Sequence, residues 1–185
     1  SHGLSQGGLD GINIMAGIFT NLSQDHMDYH KSMKNYLKAK LILFEKQLIK
    51  KGCIILDKTI PEFNKIKKIA KKRKLKILDS TKEDLLKDFI PKDFINTFQS
   101  KNLSMAILAA QVSKLNKIKI KNKIKKIKSV NGRLELVRKF PNNIKIYIDY
   151  AHTPDALREA LKSLKNIKKN KISIVFGCGG ERDFK

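Results

Sequence analysis

The sequence has no tryptophan, only two cysteines, and no apolar run approaching the roughly 18 residues that a membrane-spanning helix needs. A spanning helix is therefore excluded. Cys53 and Cys178 lie in apolar, strand-like runs, as small core residues of a reducing compartment do, and they make no disulfide framework. No basic start, apolar stretch and small-residue cleavage site reads as a signal peptide. Acid is scarce: 17 Asp and Glu stand against 40 Lys and Arg, a formal net charge of +23 in 185 residues. Arginine is scarcer still, with only Arg73, Arg133, Arg138, Arg158 and Arg182. Nucleic-acid readers exploit the planar arginine fork, and neither zinc-ligand spacing nor interleaved aromatics accompanies the lysines. In NKIKKIAKKRK and KIKIKNKIKKIK the lysines alternate with Ile at helix spacing, as on solvated helix faces. No specific nucleic-acid partner is expected, only weak, salt-sensitive association. Apolar residues are abundant at 41%, enough for a core and too many for a disordered basic tail.

The apolar pattern predicts a parallel α/β fold. Residues 12–20 read as a strand running into a polar loop over 21–30, and Ser32 caps a helix over 33–50. A strand is expected at 52–57, a helix with Pro61 in its first turn reaching 72, and a strand at 74–79. Residues 80–93 fit a loop or a short helix. A helix with small residues Ala106, Ala109 and Ala110 covers 102–115, and a lysine-rich helix lies near 120–128. The character changes near Ser129. Two alternating strands are joined by a Pro-Asn-Asn turn, a helix starts at Thr153-Pro154-Asp155, and KISIVFGCG reads as a buried strand entering a Gly-rich loop. Two partial domains are expected, 1–128 and 129–185. Ser1 in place of a methionine, and a last stretch that stops after a strand-to-loop transition, read as the cut ends of an internal fragment.

Several residues ask for a chemical reason. The loop SQDHMDYH puts Asp25, His26, Asp28 and His30 at the mouth of the first strand, where α/β proteins keep ligands. They suit a hard cation, or Asp side chains that satisfy backbone N–H groups. On a helical wheel, Leu37, Leu41, Phe44 and Leu48 share one face and Lys40 lies beside it. Such a lysine must snorkel, lose its charge or meet an anion. Thr153, Pro154 and Asp155 are explained as a helix start, whereas Asp149 and His152, flanking Tyr150 at a strand end, are not. Gly177, Gly179 and Gly180 form no complete phosphate-loop motif.

SHGL, FTNLSQDHMDYH, YLKAKLILF, NGRLELV, DYAHTPDAL and VFGCGGERD, in this order, resemble the Mur ligases of bacterial peptidoglycan synthesis. Within that family the chain is most similar to the members that add the third stem-peptide residue. The resemblance implies the later part of a central ATP-binding domain followed by the start of a Rossmann-like C-terminal domain. It implies a cytoplasmic, monomeric, ATP- and Mg2+-dependent ligase. That enzyme would join a diamino acid, meso-diaminopimelate in preference to L-lysine, to UDP-N-acetylmuramoyl-L-alanyl-D-glutamate through an acyl phosphate. His26 would bind metal, and Lys40 would be the carbamylated lysine that also holds metal. Asn21 would line the nucleotide loop and Asn102 would contact adenine. Arg133 would reach the ATP phosphates, with Asp149 and His152 beside the nucleotide, and Lys40, Arg133 and His152 would serve catalysis. Ser1, His2 and Gln6 would lie on the substrate side, and Gly8 stands where the family carries an arginine for the substrate peptide. The phosphate-cradling loop and the UDP-binding domain are not in this sequence, so the fragment alone is expected to be inactive. A sibling ligase or a folate polyglutamate-type ligase, a basic nucleic-acid-binding module, and a catalytically dead relative are the alternatives.

Overall fold

The computed structural model describes residues 1–82, 98–128, 130–167 and 171–177. Three parallel strands, β1 (Ile14–Phe19), β2 (Leu48–Leu56) and β3 (Lys76–Asp79), pair in that order. Their side chains alternate between faces, as a period of two requires. On one face Phe19, Ile54 and Leu56 pack against Leu37, Leu41 and Phe44, and against Ile66 and Ala70 of helix α4 (Phe63–Arg73). On the other, Ile55 meets Met105 and Leu108 of helix α5 (Phe98–Val112). Burying side chains such as Ile54 and Ile55 completely is worth about 1.5–3 kcal/mol each. Short helices α1 (His2–Ser5) and α2 (Met27–His30) precede α3 (Met33–Ile42), which Ser32 caps by accepting a hydrogen bond from the Asn35 N–H at 3.2 Å.

The helix expected over 33–50 ends sooner. A π-helical turn, Leu43–Gln47, follows α3, and Leu48 already belongs to β2. The wider turn brings both Leu43 and Phe44 onto Gly17 of β1. A Cβ at Gly17 would stand 2.9 Å from Phe44 Cε1 and 3.0 Å from Leu43 Cδ2, so only glycine admits this approach. Leu48 keeps its place in the same core, but as a strand residue opposite Ile14. The ladder then jumps to Ala16 opposite Cys53, with Lys51 at φ 62° in the irregular stretch, which is why 48–51 carries no strand periodicity. Pro61 precedes α4 instead of lying in its first turn, because Glu62 occupies the N-cap.

Helix α5 starts earlier than expected, at Phe98, and α6 (Lys117–Ile124) is capped by Asn116, whose Oδ1 accepts the Ile118 N–H at 2.7 Å. Ala109 packs toward the sheet and Ala110 toward α6, so the small residues let α5 lie between both. Strands β4 (Glu135–Lys139) and β5 (Lys145–Ile148) make an antiparallel pair, and α7 (Pro154–Ile167) follows. The Ala156 N–H donates to Thr153 Oγ1 at 3.2 Å, the expected helix start. The strand expected at KISIVFGCG is not formed over 171–177: Val175 is fully exposed and Phe176 72% exposed. An apolar run becomes a buried strand only when a neighbour takes its N–H and C=O groups, and no described strand pairs with it. Residues 83–97, which include most of the undecided 80–93 segment, and Ser129, Cys178, Gly179 and Gly180 lie outside the described residues.

Candidate active site

Because β1, β2 and β3 run parallel, their carboxyl ends open on one edge, the position at which open α/β sheets present ligand groups. Past β1 the chain passes Thr20 and Asn21 and reaches His26, which holds φ 56° and ψ 34°, a left-handed conformation uncommon for a non-glycine residue. Asp25 supports it. Its Oδ1 accepts the His26 N–H at 2.9 Å and its Oδ2 lies 3.4 Å from Nε2.

Lys40 reaches the same place from α3. Its Nζ donates to the Asn21 carbonyl at 2.8 Å and lies 4.8 Å from the Tyr36 ring centre and 5.7 Å from that of Phe19. The wheel expectation of a lysine beside the packed face holds, since Lys40 is half-buried while Lys38 and Lys46 are exposed. Burial pulls the Lys40 pKa below the usual lysine range, although Asp25 and Glu62 pull the other way. Around Tyr36 the histidines gather. His30 stacks on it at 4.9 Å, His26 meets it edge-on at 6.4 Å, and His2 packs on His26 at 4.7 Å and on Tyr29 at 4.1 Å. The His30 ring, 6% exposed, shares a 2.8 Å hydrogen bond between Nε2 and Ser1 Oγ. Burial, then the neighbouring His2, lowers its pKa. Gln6 is exposed beyond α1. At Gly8, whose N–H donates to the Gly3 carbonyl at 2.6 Å, a Cβ would come within 3.1 Å of that same oxygen.

Two carboxylates on this edge escaped the sequence reading. Asp57 directly follows β2 and Asp79 ends β3, each in a Leu-Asp-x-Thr run, LDKT and LDST, and that repetition was the available signal. Asp57 Oδ1 accepts from the Thr59 N–H at 2.8 Å and the Thr59 hydroxyl at 2.6 Å, with Lys101 3.4 Å from Oδ2. Asp79 repeats the turn with Thr81. Asn102 follows Lys101 on α5 and is exposed. Burial by itself would raise the Asp57 pKa, but the Thr59 hydrogen bonds and Lys101 outweigh it and leave it below the usual carboxylate value. A carboxyl depressed on folding stabilises above its unfolded pKa, about 3.9, and that contribution is lost as pH falls through the lower folded value. Asp57→Asn should therefore flatten the acid limb of the stability curve below about pH 4. Urea titrations across pH 2–6 of a protein carrying this substitution check it, and an acid limb parallel to wild type would refute it.

Arg133, Asp149 and His152 form a second group. Arg133 makes no ion pair with Glu135 two residues on: Glu135 Oε2 accepts the Gly132 N–H at 2.7 Å, and the exposed Arg133 guanidinium lies 4.7 Å over the Tyr150 ring. Asp149 accepts the Leu134 N–H through Oδ2 and the Ala151 N–H through Oδ1, both at 2.8 Å. It thereby pins Leu134 at φ 47°, and with it the backbone that presents Arg133. His152 packs edge-on against Tyr150 at 5.0 Å, its Nδ1 2.9 Å from the Tyr150 carbonyl oxygen. Helix α5 links the groups, with Gln99 Nε2 donating to the Arg133 carbonyl two residues before Lys101 reaches Asp57. A groove of about 320 Å³ between α5 and α6 is lined by Leu103, Ile107, Ile120, Lys123 and other chiefly apolar residues, with no acid or imidazole, and lies apart from this chemistry.

A parallel sheet with polar side chains at its carboxyl edge is the arrangement in which open α/β folds hold ligands, and two family models match the chain. The Mur ligase middle domain matches residues 1–130 and the Mur ligase glutamate ligase domain matches 132–185. The chain belongs to the Mur ligase family. It is 41% identical to the UDP-N-acetylmuramoyl-L-alanyl-D-glutamate--2,6-diaminopimelate ligase of Rickettsia bellii, over 99% of this chain and 43% of that protein. To the enzyme of the same name from Zymomonas mobilis it is 34% identical, over 99% and 42%. The chain thus spans little more than two fifths of the length of these relatives. Its fold is similar to that of MurF from Acinetobacter baumannii, at TM-score 0.64 and 17% identity over 81% of this chain and 37% of that one. A mutant of L. casei FPGS gives TM-score 0.61 and 14% identity over 85% and 44%.

Proposed function

We propose that this chain is the central and C-terminal portion of a cytoplasmic ATP-dependent ligase. The complete enzyme adds meso-diaminopimelate to UDP-N-acetylmuramoyl-L-alanyl-D-glutamate in peptidoglycan synthesis. The observation that carries the reading is the convergence of Lys40, Asn21 and His26 around Tyr36 at the carboxyl edge of the sheet. The names of the similar proteins from Rickettsia and Zymomonas supply the substrate. Among the described residues no three His, Cys, Asp or Glu side chains converge as a metal centre. Mg2+ keeps several waters and takes phosphate oxygens, so one or two protein donors suffice, and His26 with a carbamylated Lys40 fits that need. When bound, the ion offsets repulsion between the ATP phosphates and the substrate carboxylate.

The half-buried placement of the amine supports carbamylation. The Lys40 Nζ lone pair attacks the carbon of CO2, an N–C bond forms, one C=O electron pair moves to oxygen, and Nζ releases a proton to solvent. The product keeps one N–H for the Asn21 carbonyl and gains a carboxylate. In the ligation, the substrate carboxylate oxygen takes the γ-phosphoryl group and ADP leaves; the neutral amine of the diamino acid then attacks the acyl phosphate carbon, gives up a proton to solvent, and phosphate leaves as the amide forms. Arg133 stabilises charge on the transferred group when the C-terminal domain closes, held ready by Tyr150 and Asp149. Asn102 and His152 line the nucleotide. The test is phosphate release by the complete protein. Release should require ATP, Mg2+, the UDP-linked dipeptide and meso-diaminopimelate together, with L-lysine a poor replacement. Equal release without the dipeptide would overturn the assignment.

A further inference from the structure

We propose that Tyr36 is the positioning residue that holds the Lys40 amine at its station relative to His26, an inference that rests on the role given to Lys40 above. Tyr36 precedes Lys40 by four residues on α3, so both project from one side of the helix. A lysine side chain has many rotamers and stays in one place only where fixed contacts hold it. Here the described contacts are the Asn21 carbonyl, the Tyr36 ring and, more distantly, Phe19. Asn21 fixes the tip and Tyr36 supplies the wall. The wall itself cannot swing, because it is 6% exposed, stacked on His30 at an interplanar angle of 23° and touched edge-on by His26. His30 is anchored in turn by Ser1. One ring is therefore the contact shared by the amine and by both imidazoles. An aliphatic side chain at this position would let water reach Nζ and let the amine leave the His26 side.

The experiment compares Tyr36→Leu, Tyr36→Phe and Lys40→Ala in the complete ligase. Each is assayed for kcat and KM, for thermal stability, and for the 13C NMR signal of the Lys40 carbamate after equilibration with 13C-bicarbonate. Tyr36→Leu should lower kcat by about 10- to 100-fold with each KM within about threefold. Its carbamate signal should be lost at a bicarbonate concentration that saturates wild type. Signal and part of kcat should return together as bicarbonate rises, which a purely packing role would not produce. Tyr36→Phe keeps the ring and should stay within about threefold of wild type on both readouts. If Tyr36→Leu does not fold, Tyr36→Met, also without a ring, carries the same test. A folded Leu or Met variant with wild-type carbamate signal overturns the inference, whatever its kcat, and so does a Phe variant as impaired as Leu. Lys40→Ala at wild-type turnover would remove the role of Lys40 and this inference with it, whereas the Tyr36 outcomes bear on Tyr36 alone.

Discussion

Replacing Lys40 with alanine in the complete ligase should lower kcat by about 10³-fold or more while leaving thermal stability almost unchanged. The amine is half-buried, its pKa is pulled down by burial, and it donates to the Asn21 carbonyl. A lysine serving only to pack would extend its ammonium to water at little cost. Here the tip is held by the Asn21 carbonyl and the Tyr36 ring, on which His26 also packs, and a carbamate would add a carboxylate to the one that Asp25 already sets beside His26. Loss of the side chain removes a charged group from the proposed site and few apolar contacts, so the effect falls on turnover. Added formate or acetate should restore part of the activity by placing a carboxylate in the vacated space. Steady-state phosphate release at saturating substrates decides it, and wild-type turnover in Lys40→Ala would refute the role.

Arg133→Ala should lower kcat by about 10²-fold with little change in melting temperature. The side chain is exposed and touches Tyr150, a cation–π contact worth about 0.5–1 kcal/mol at such a site, so its loss costs folding little. Meanwhile the fold invests in the backbone beside it: Asp149 pins Leu134 in a left-handed conformation, and Gln99 binds the Arg133 carbonyl. An exposed arginine on a tightly fixed backbone suits a group that must reach a phosphate in the neighbouring domain. Arg133→Lys should recover only part of the loss, since a point charge does not reproduce the planar fork. Phosphate-release kinetics with all substrates saturating give the answer, and a kcat within about threefold of wild type would leave Arg133 a surface residue.

Much of this was legible in local sequence because local rules dominate there. Ser32 and Thr153 cap helices through their own hydroxyls, and the alternation in GCIILD sends Ile54 and Ile55 to opposite faces whatever else the chain does. The position of Lys40 beside an apolar stripe was also readable, because helical spacing alone fixes it. Tertiary structure decided the rest. The π-helical turn at Leu43–Gln47 exists because Gly17 lets Leu43 and Phe44 close on β1, a contact 26 or more residues distant in sequence. KISIVFGCG has a strand's composition, but over 171–177 it remains exposed, since a strand is completed by its neighbour's hydrogen bonds and not by its own residues. Asp57 and Asp79 fall at the ends of the expected strands 52–57 and 74–79, but only parallel pairing put both on one edge. Nothing in the local pattern singles out Tyr36, and only folding brings His26, His30 and the Lys40 amine to the same ring. Periodicity specifies which face a residue takes, and only the assembled sheet and helices specify what it meets there.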